Sequence, residues 1–333
     1  RDDLAGYYSI DRRFLFEDLS QQLDRTTPDI ACIAVPTARN PEIVLACLEA
    51  GVRVLSCEKP AAVSLAESDR IVEASTHAGA IIGVGSLIAN HVLRDAERWI
   101  AGGGLGTIKQ ISLPGGLGAH VSGDGAQRLS PIRVLSGSEL RWAEGWETED
   151  LYSGKVDDAT EVEIDGPVHG RLGLSGEIEV HISPVGEAKG SWVVIEGDDG
   201  RVEWSPQGTR LLQRADMSNV TDLVVDKPAP QLRYSFVPLV DSLVRAYEEG
   251  ERLRPDPEDM RFALEAAVGL KQSHHSDHAR VSLPNSDRSS KIWPHPYRSY
   301  GGDVAGFQSL WPKYESPSLE NHLRNLYIKK AES

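Results

Sequence analysis

The sequence predicts an α/β domain of Rossmann type, followed by an α+β domain with a large, open, mostly antiparallel sheet. Up to residue 101, short apolar segments alternate with helical patterns, as expected for a parallel sheet covered by helices. From residue 108 the pattern changes to short period-two segments separated by Gly, Pro and Asp. We expect a first domain over 1–104, a second over 105–288, and an extended arm rich in aromatic residues and Pro over 289–333.

Strands of the first domain are predicted within 28–37 and at 52–56 and 81–85, with helices at 41–50, 64–77 and 91–101. Pro41 suits a first helical position, and Ser64 with Glu67 forms a capping box. Gly51 and Gly79 suit helix ends. Residues 2–8 are predicted as the end of a helix, residues 10–16 as a connection and residues 16–23 as a short helix.

Period-two segments of the second domain predict one sheet with a buried face and a polar face. The predicted strands are 108–113, 140–146, 160–164, 168–174, 177–183, 191–196, 201–204 and 209–213. Two late helices, 236–249 and 257–274, are expected to complete this domain, with Asp256 capping the second.

Composition sets limits on the function. The chain has 333 residues, 40% of them hydrophobic, and a formal net charge of −15, which argues against nucleic acid or an anionic membrane as partner. The absence of a long apolar run argues against a membrane span. Three cysteines, Cys32, Cys47 and Cys57, suit buried thiols in a reducing compartment, so a cytoplasmic protein is expected.

Glu58-Lys59-Pro60 follows the apolar run 52–56 directly. Ligands of open α/β sheets lie at the carboxyl ends of the strands, so Lys59 is placed where its amine can hydrogen-bond a substrate hydroxyl. A surface lysine after a strand is the alternative interpretation, and three residues alone favour it.

The wider context resembles the glucose–fructose oxidoreductase, inositol dehydrogenase and rhizopine catabolism family of NAD(P)-dependent sugar dehydrogenases. The resemblance is carried by residues 28–37, 41–60, 84–85 and 104–108, and by the segments 263–267 and 281–284. It implies NAD or NADP as cofactor, bound over Val35-Pro36-Thr37, Asn40 and Glu58-Lys59-Pro60. It also implies a sugar, cyclitol or glycoside substrate, and a homo-oligomer (dimer or tetramer) that forms through the open face of the second sheet.

A complete dinucleotide-binding domain begins with a strand, a Gly-rich turn and a helix, and residues 1–23 contain no such pattern. The Gly-rich stretches 102–106 and 115–118 lack the G-x-G-x-x-G spacing and follow Lys59. We therefore expect a first βαβ unit, about 30 residues or more, outside residues 1–333 or supplied by another chain. Its true loss in an inactive relative is the less favoured alternative.

The resemblance implies that Lys59 acts with a D-x-x-x-H motif, in which the His takes the hydroxyl proton. By register Gln127 stands at the His position and Gly123 at the Asp position, with Asp124 one residue away. An amide has no titratable proton, so Gln127 can orient a hydroxyl but cannot act as its base.

Three accounts of how the site works are compatible with Gln127 in place of the expected His. Lys59 is itself the base, assisted by Asp124 or His120; or the substrate needs little base help; or the site is inactive and the protein is a binding or scaffolding subunit. His120, on the Gly-rich loop 114–125, is equally well explained as an exposed loop residue.

Two other groups of residues are not predicted to be sites. His274, His275 and His278 follow a helix end, where the helix dipole and solvent favour His, so no metal site is predicted. Aromatic residues of the arm 289–333 are expected to pack on their own domain or, alternatively, to reach a neighbouring subunit.

Overall fold

The computed structural model describes residues 11–35, 37–85, 90–118, 121–147, 166–184, 191–206, 208–213, 220–223 and 237–292. Predictions that fall on 1–10, on the strand 160–164 and on most of the arm 289–333 lie outside these ranges. Two sheets organise the described residues, one of three strands and one of nine.

The smaller sheet is parallel, as predicted, in the order β1-β2-β3. Its strands are β1 (Ile30–Ile33), β2 (Val54–Cys57) and β3 (Ile81–Val84). Their carboxyl ends share one edge, where Glu58 N donates to Ile33 O and Gly85 N donates to Cys57 O. That edge brings the segments after the three strands together. Within the described ranges, β1 has a strand neighbour on one side alone.

The helices of this domain begin and end as their sequence signals indicate. They are α1 (Leu19–Arg25), α2 (Asn40–Glu49), α3 (Leu65–Ala78) and α4 (Asn90–Ala101). The capping box of Ser64 and Glu67 is present, and Gly79 ends α3 in the left-handed conformation. A short 3-10 helix at Arg12–Phe14 precedes α1, which begins three residues later than predicted.

The larger sheet has the order β11-β10-β9-β8-β4-β7-β6-β5-β12, and its one parallel pair is β4 with β7. An open, mostly antiparallel sheet is therefore confirmed. The strands are β4 (Ile108–Leu113), β5 (Leu140–Glu147), β6 (Val168–Leu174), β7 (Glu179–Ile182), β8 (Val193–Gly197), β9 (Gly200–Ser205), β10 (Gly208–Gln213), β11 (Val220–Leu223) and β12 (Val281–Ser282).

Helices α5 (Ala126–Ser136) and α7 (Pro257–His275) cover one face of the larger sheet, and α7 lies along β5. Alanines and Gly269 on α7 allow a close approach, since a Cβ at Gly269 would lie 3.0 Å from the Ala143 side chain. One continuous apolar core joins these helices to the first domain.

Helix α6 (Val237–Glu249) does not complete the second domain, and the sequence-based expectation was wrong here. Leu243 and Ala246 of α6 pack on Val54 of β2 and on Leu253, forming a second apolar cluster on the first domain. Local periodicity predicts a helix but not which sheet it covers, because that choice depends on distant packing.

The cysteines are free, and Cys47 and Cys57 are buried as expected, but Cys32 is exposed. It lies on β1. None of the helices in the described ranges is both long and apolar enough to cross a bilayer.

Candidate active site

Lys59 lies two residues beyond the carboxyl end of β2 and reaches the second domain. Its Nζ donates to Asp124 Oδ1 at 3.1 Å, an ion pair between residues 65 apart in sequence. The Lys59 side chain is 17% exposed and that of Asp124 is 49% exposed, so the pair lies at the rim of the domain interface. The structure thus brings Lys59 against Asp124, one of the two residues that the sequence analysis named as its assistants.

Asn40 holds the turn that carries Lys59. Its buried amide donates to Glu58 O and to Pro60 O, both at 3.0 Å, and so bridges the backbone on either side of Lys59. Within the described ranges Asn40 Oδ1 has no hydrogen-bond partner. Asn40, proposed from the sequence as a cofactor contact, therefore fixes the turn in this structure.

Gly85 makes room for the lysine. Its φ is +82°, and a Cβ built there would lie 3.3 Å from Lys59 Cγ and 3.4 Å from Met260 Cε. The alkyl chain of Lys59 thus crosses the end of β3 against bare backbone. Glycine meets both the positive φ and the close approach.

On the other side, a tight turn presents Asp124. A Cβ at Gly125 would lie 2.1 Å from Val121 O, so the turn closes against bare backbone. Gly118, with φ of +80°, passes close to Asp124 Cβ. Two glycines therefore hold the carboxylate opposite Lys59.

Arg128, which the sequence analysis did not single out, fastens the Gly-rich loop. Its guanidinium donates to Gly115 O at 2.9 Å and to Gly116 O at 2.5 Å, and lies 4.8 Å from the Trp192 ring centroid. Burial lowers the pKa of Arg128, while Asp124 acts in the opposite sense. The sequence offered one indication of this role: Arg128 stands at the start of a helix that follows a Gly-rich loop, and the carbonyls of such a loop require hydrogen-bond donors.

Gln127 faces a cavity of about 190 Å³ beside this pair. Described residues from both domains line it: Val84, Leu93, Gln127, Pro131, Trp192, Trp204, Pro206, Arg254, Pro255 and Met260. The two tryptophans meet edge to face, with their ring centroids 6.2 Å apart. Both stand on consecutive period-two segments, which the sequence predicted as strands without predicting their shared cavity.

Arg254 belongs to a buried ion network next to this cavity. It donates to both carboxylate oxygens of Asp259, at 2.8 and 2.7 Å, and also contacts Asp256 and Glu97. Burial, then the nearby Asp256, raises the pKa of Asp259 to about 6, and Arg254 opposes the rise. The network anchors the start of α7 and occupies the guanidinium of Arg254.

The Cys57 thiol and the histidines His274 and His278 do not form a reactive group with Lys59 and Asp124. Burial, and secondarily Glu58, raises the pKa of Cys57 to about 12, so this thiol stays protonated at neutral pH. Within the described ranges no His, Cys, Asp and Glu side chains are grouped to hold a metal ion. His274 and His278 instead contact each other and the β5 backbone.

Three residues that the sequence analysis named as cofactor contacts lie at the ends of the strands. Val35 and Thr37, both half-buried, follow β1, and the exposed Glu58 follows β2, so all three line one edge of the parallel sheet. They offer an apolar side chain, a hydroxyl and a carboxylate at this edge. His120 and Pro36, proposed from the sequence, lie outside the described residues.

Comparison with known proteins bears on the family and the fold. Residues 3–86 match the model of a family described as an oxidoreductase family with an NAD-binding Rossmann fold. The match confirms the family resemblance and, at the level of the family, the expected nicotinamide cofactor. No curated protein sequence matches the chain.

Solved structures share the two-domain fold. An inositol dehydrogenase homolog from Azotobacter vinelandii, complexed with NADH and myo-inositol, is 18% identical, with a TM-score of 0.61 over 84% of this chain and 86% of that one. Aldose–aldose oxidoreductase from Caulobacter crescentus, complexed with glycerol, is 18% identical, with a TM-score of 0.63 over 85% and 88%. An NAD-binding oxidoreductase from Klebsiella pneumoniae is 16% identical, with a TM-score of 0.65 over 86% and 87%.

Proposed function

We propose that this chain, whose residues 3–86 belong to the oxidoreductase family with an NAD-binding Rossmann fold, is an NAD(P)-dependent dehydrogenase or reductase. Its substrate is a sugar, cyclitol or glycoside, and hydride is transferred at a hydroxyl-bearing carbon of that substrate. The observation that carries the proposal is the Lys59–Asp124 ion pair of 3.1 Å at the carboxyl edge of the parallel sheet. The solved relatives bound to myo-inositol and glycerol support the choice of polyol-like substrates.

The residues divide the work by chemistry. When bound, the nicotinamide accepts or supplies the hydride. Lys59 Nζ hydrogen-bonds the substrate oxygen, and Asp124 holds the amine in place and exchanges protons with solvent through its exposed side. The hydroxyl proton that oxidation releases passes to this pair.

Gln127 contributes orientation. Its amide offers two donors and one acceptor but no titratable proton, so it fixes the substrate hydroxyl without taking its proton. Asn40 and Gly85 act indirectly, because one holds the backbone of the lysine turn and the other leaves space for the lysine chain.

Replacing the lysine tests the proposal. With NAD or NADP and a panel that includes glucose and myo-inositol, Lys59→Ala is expected to lower kcat/KM by roughly 10²–10⁴-fold, the usual contribution of a positioned acid or base. The matched control is Lys109→Ala, which removes an exposed lysine that also pairs with a carboxylate, Asp198 at 3.1 Å. Turnover by Lys59→Ala within a few-fold of the parent protein would contradict the proposal.

A second candidate function is favoured by Gln127 alone. A chain that lacks the expected His at this position can act as a binding or scaffolding subunit that retains the fold. Titration of NADH and NADPH by fluorescence separates the two functions. Cofactor binding with hydride transfer supports the dehydrogenase, and binding of a polyol with neither cofactor nor turnover supports the binding subunit.

A further inference from the structure

The cavity at Gln127 directly adjoins the Lys59–Asp124 pair. Met260 and Val84 line it, and Met260 shares with Lys59 the space over Gly85, where both would meet an added Cβ within 3.4 Å. Gln127 itself is three residues beyond Asp124 at the start of α5. A substrate bound at Lys59 can therefore extend into this cavity.

The described walls of the cavity are mostly apolar. Two tryptophans, three prolines, Leu93, Val84 and Met260 surround the space, and the polar lining residues are Gln127 and Arg254. Arg254 is held by Asp259, Asp256 and Glu97, so its charge is already balanced by carboxylates. Gln127 and the buried Trp204 Nε1, which has no hydrogen-bond partner in the described ranges, are thus the polar groups that remain to meet a ligand there.

Such walls select against a bare polyol ring. A sugar ring in this space would bury several hydroxyl groups against Trp, Pro and Met, and a buried hydroxyl without a partner is unfavourable. An apolar group in the same space displaces water from the apolar walls, which is favourable. The sugar hydroxyls belong at Lys59, Asp124 and Gln127, and an apolar substituent belongs beyond them.

Size and shape narrow the substituent further. At about 30 Å³ per water molecule in the liquid, the cavity of about 190 Å³ holds some six waters, the space of a six-membered carbon ring. Trp192 is fixed by Arg128 over its face and by Trp204 at 76° to its plane. Rigid aromatic walls suit a flat ring, which stacks or meets them edge to face.

We propose that this cavity is a subsite for an aryl or similarly sized apolar substituent of the substrate, so that the enzyme acts on aryl or alkyl glycosides in preference to free sugars. This inference rests on the proposed function, because it places the sugar at Lys59. It adds the substrate class, which the pair at Lys59 does not determine.

A series of ligands with one sugar tests the subsite on the full chain. Glucose, methyl β-glucopyranoside and phenyl β-glucopyranoside are compared by kcat/KM with NAD or NADP, and by quenching of tryptophan fluorescence. We expect phenyl β-glucopyranoside to exceed the methyl glycoside at least tenfold in both measurements. A ratio below about twofold in the binding measurement would overturn the subsite, whatever the turnover.

The same series distinguishes failure of the subsite from failure of the proposed function. Lys59→Ala is expected to lose turnover and to keep the tenfold ratio in binding, since the ring lies beyond Met260. Turnover of all three glycosides at equal kcat/KM and equal affinity would leave the dehydrogenase and remove the subsite. Selective phenyl binding without turnover in the parent protein would keep the subsite and remove the dehydrogenase.

Filling the cavity provides a matched variant. Leu93→Phe adds volume to a lining residue and is expected to reduce the phenyl-to-methyl ratio at least fivefold. Retention of the full ratio in folded Leu93→Phe would contradict the assignment of this cavity. If that variant does not fold, the ligand series on the unmodified chain decides.

Discussion

Gly85 illustrates at the scale of one residue how backbone conformation serves the candidate site. It ends β3 with φ of +82°, and the alkyl chain of Lys59 passes over it. A side chain here would both strain the backbone and push the lysine away from Asp124. The glycine therefore links the geometry of the sheet edge to the position of the amine.

Gly85→Ala is expected to separate these two effects when compared with Gly79→Ala. Gly79 has φ of +61° and no atom within 4 Å of an added Cβ, so its replacement brings backbone strain alone. Both changes should lower the free energy of unfolding by about 1–2 kcal/mol. Gly85→Ala should in addition lower kcat at least tenfold. Both variants are measured by steady-state kinetics and by chemical denaturation. Equal kcat in the two variants would refute the positioning role of Gly85.

Sequence reasoning recovered the site unevenly at this scale. Lys59 was found because the end of a buried strand predicts where ligands meet an open α/β sheet. Asp124 was named one position from the family register, and the tight turn at Gly125 explains how it still reaches Lys59. Arg128, Trp192 and Trp204 were not found, because Arg128 and Trp192 lie more than 60 residues apart and the two tryptophans meet through the pairing of β8 with β9.

At the scale of elements, the segment 284–292 acts as a strap between the domains. Carbonyls of Arg288 and Ser290 accept from Ala66 N at 2.7 Å and Leu65 N at 3.1 Å, at the start of α3. The Arg288 side chain donates twice to Asp69 of α3 and once, at 2.6 Å, to Glu265 of α7. One arginine thus joins a helix of each domain.

Arg288→Lys is expected to weaken the strap because a single ammonium cannot reproduce the planar three-way contact. Glu265 is 6% exposed in its side chain and would lose a charged partner, so a loss of about 1–3 kcal/mol in unfolding free energy follows. Arg13→Lys is the control, since its pair with Asp11 is exposed at 73% and 43%. The control should stay within about 0.5 kcal/mol, and an equal effect in both variants would show that the strap contributes nothing beyond a surface pair.

Elements were more predictable from the sequence than their edges. Strands 108–113 and 168–174 match the structure residue for residue, because Gly and Pro turns bound them on both sides. The strand predicted from Glu177 begins at Glu179, and Glu177 instead lies in a turn with φ of 60°. Strands β11 and β12 were not predicted as strands. In the structure β11 pairs with its neighbour β10, and β12 pairs with β5, which is distant in sequence.

At the scale of the whole molecule, α6 crosses back to the first domain after β11, before the chain returns to the second sheet as β12. Leu243 and Ala246 pack on Val54 of β2, and Leu253 of the following loop completes the cluster. Tyr247 OH also donates to Asp29 Oδ1 at 3.1 Å, just before β1. The chain therefore covers its N-terminal sheet with a helix from its C-terminal half, and folding of the two domains should be coupled.

Leu243→Ala tests this coupling, with Val240→Ala on the same helix as control. Leu243 is 2% exposed and Val240 is 51% exposed, so only the first change leaves a cavity in the packed cluster. A loss of about 2–5 kcal/mol is expected for Leu243→Ala, as for other buried leucines, and less than about 0.5 kcal/mol for Val240→Ala. Denaturant unfolding should be followed by far-UV circular dichroism and by fluorescence of the tryptophans, of which Trp142, Trp146, Trp192 and Trp204 lie in the second domain.

If the domains unfold as one unit, both signals shift together in Leu243→Ala, although the apolar cluster that holds Leu243 in the described ranges lies on the first domain. The shared core and the strap at Arg288 provide the physical route for this coupling. A shift of the circular dichroism signal alone, with the fluorescence midpoint unchanged, would show that the domains unfold separately. In that case the Lys59–Asp124 pair, which joins the two domains, would depend on local contacts between the domains and not on their cooperative folding.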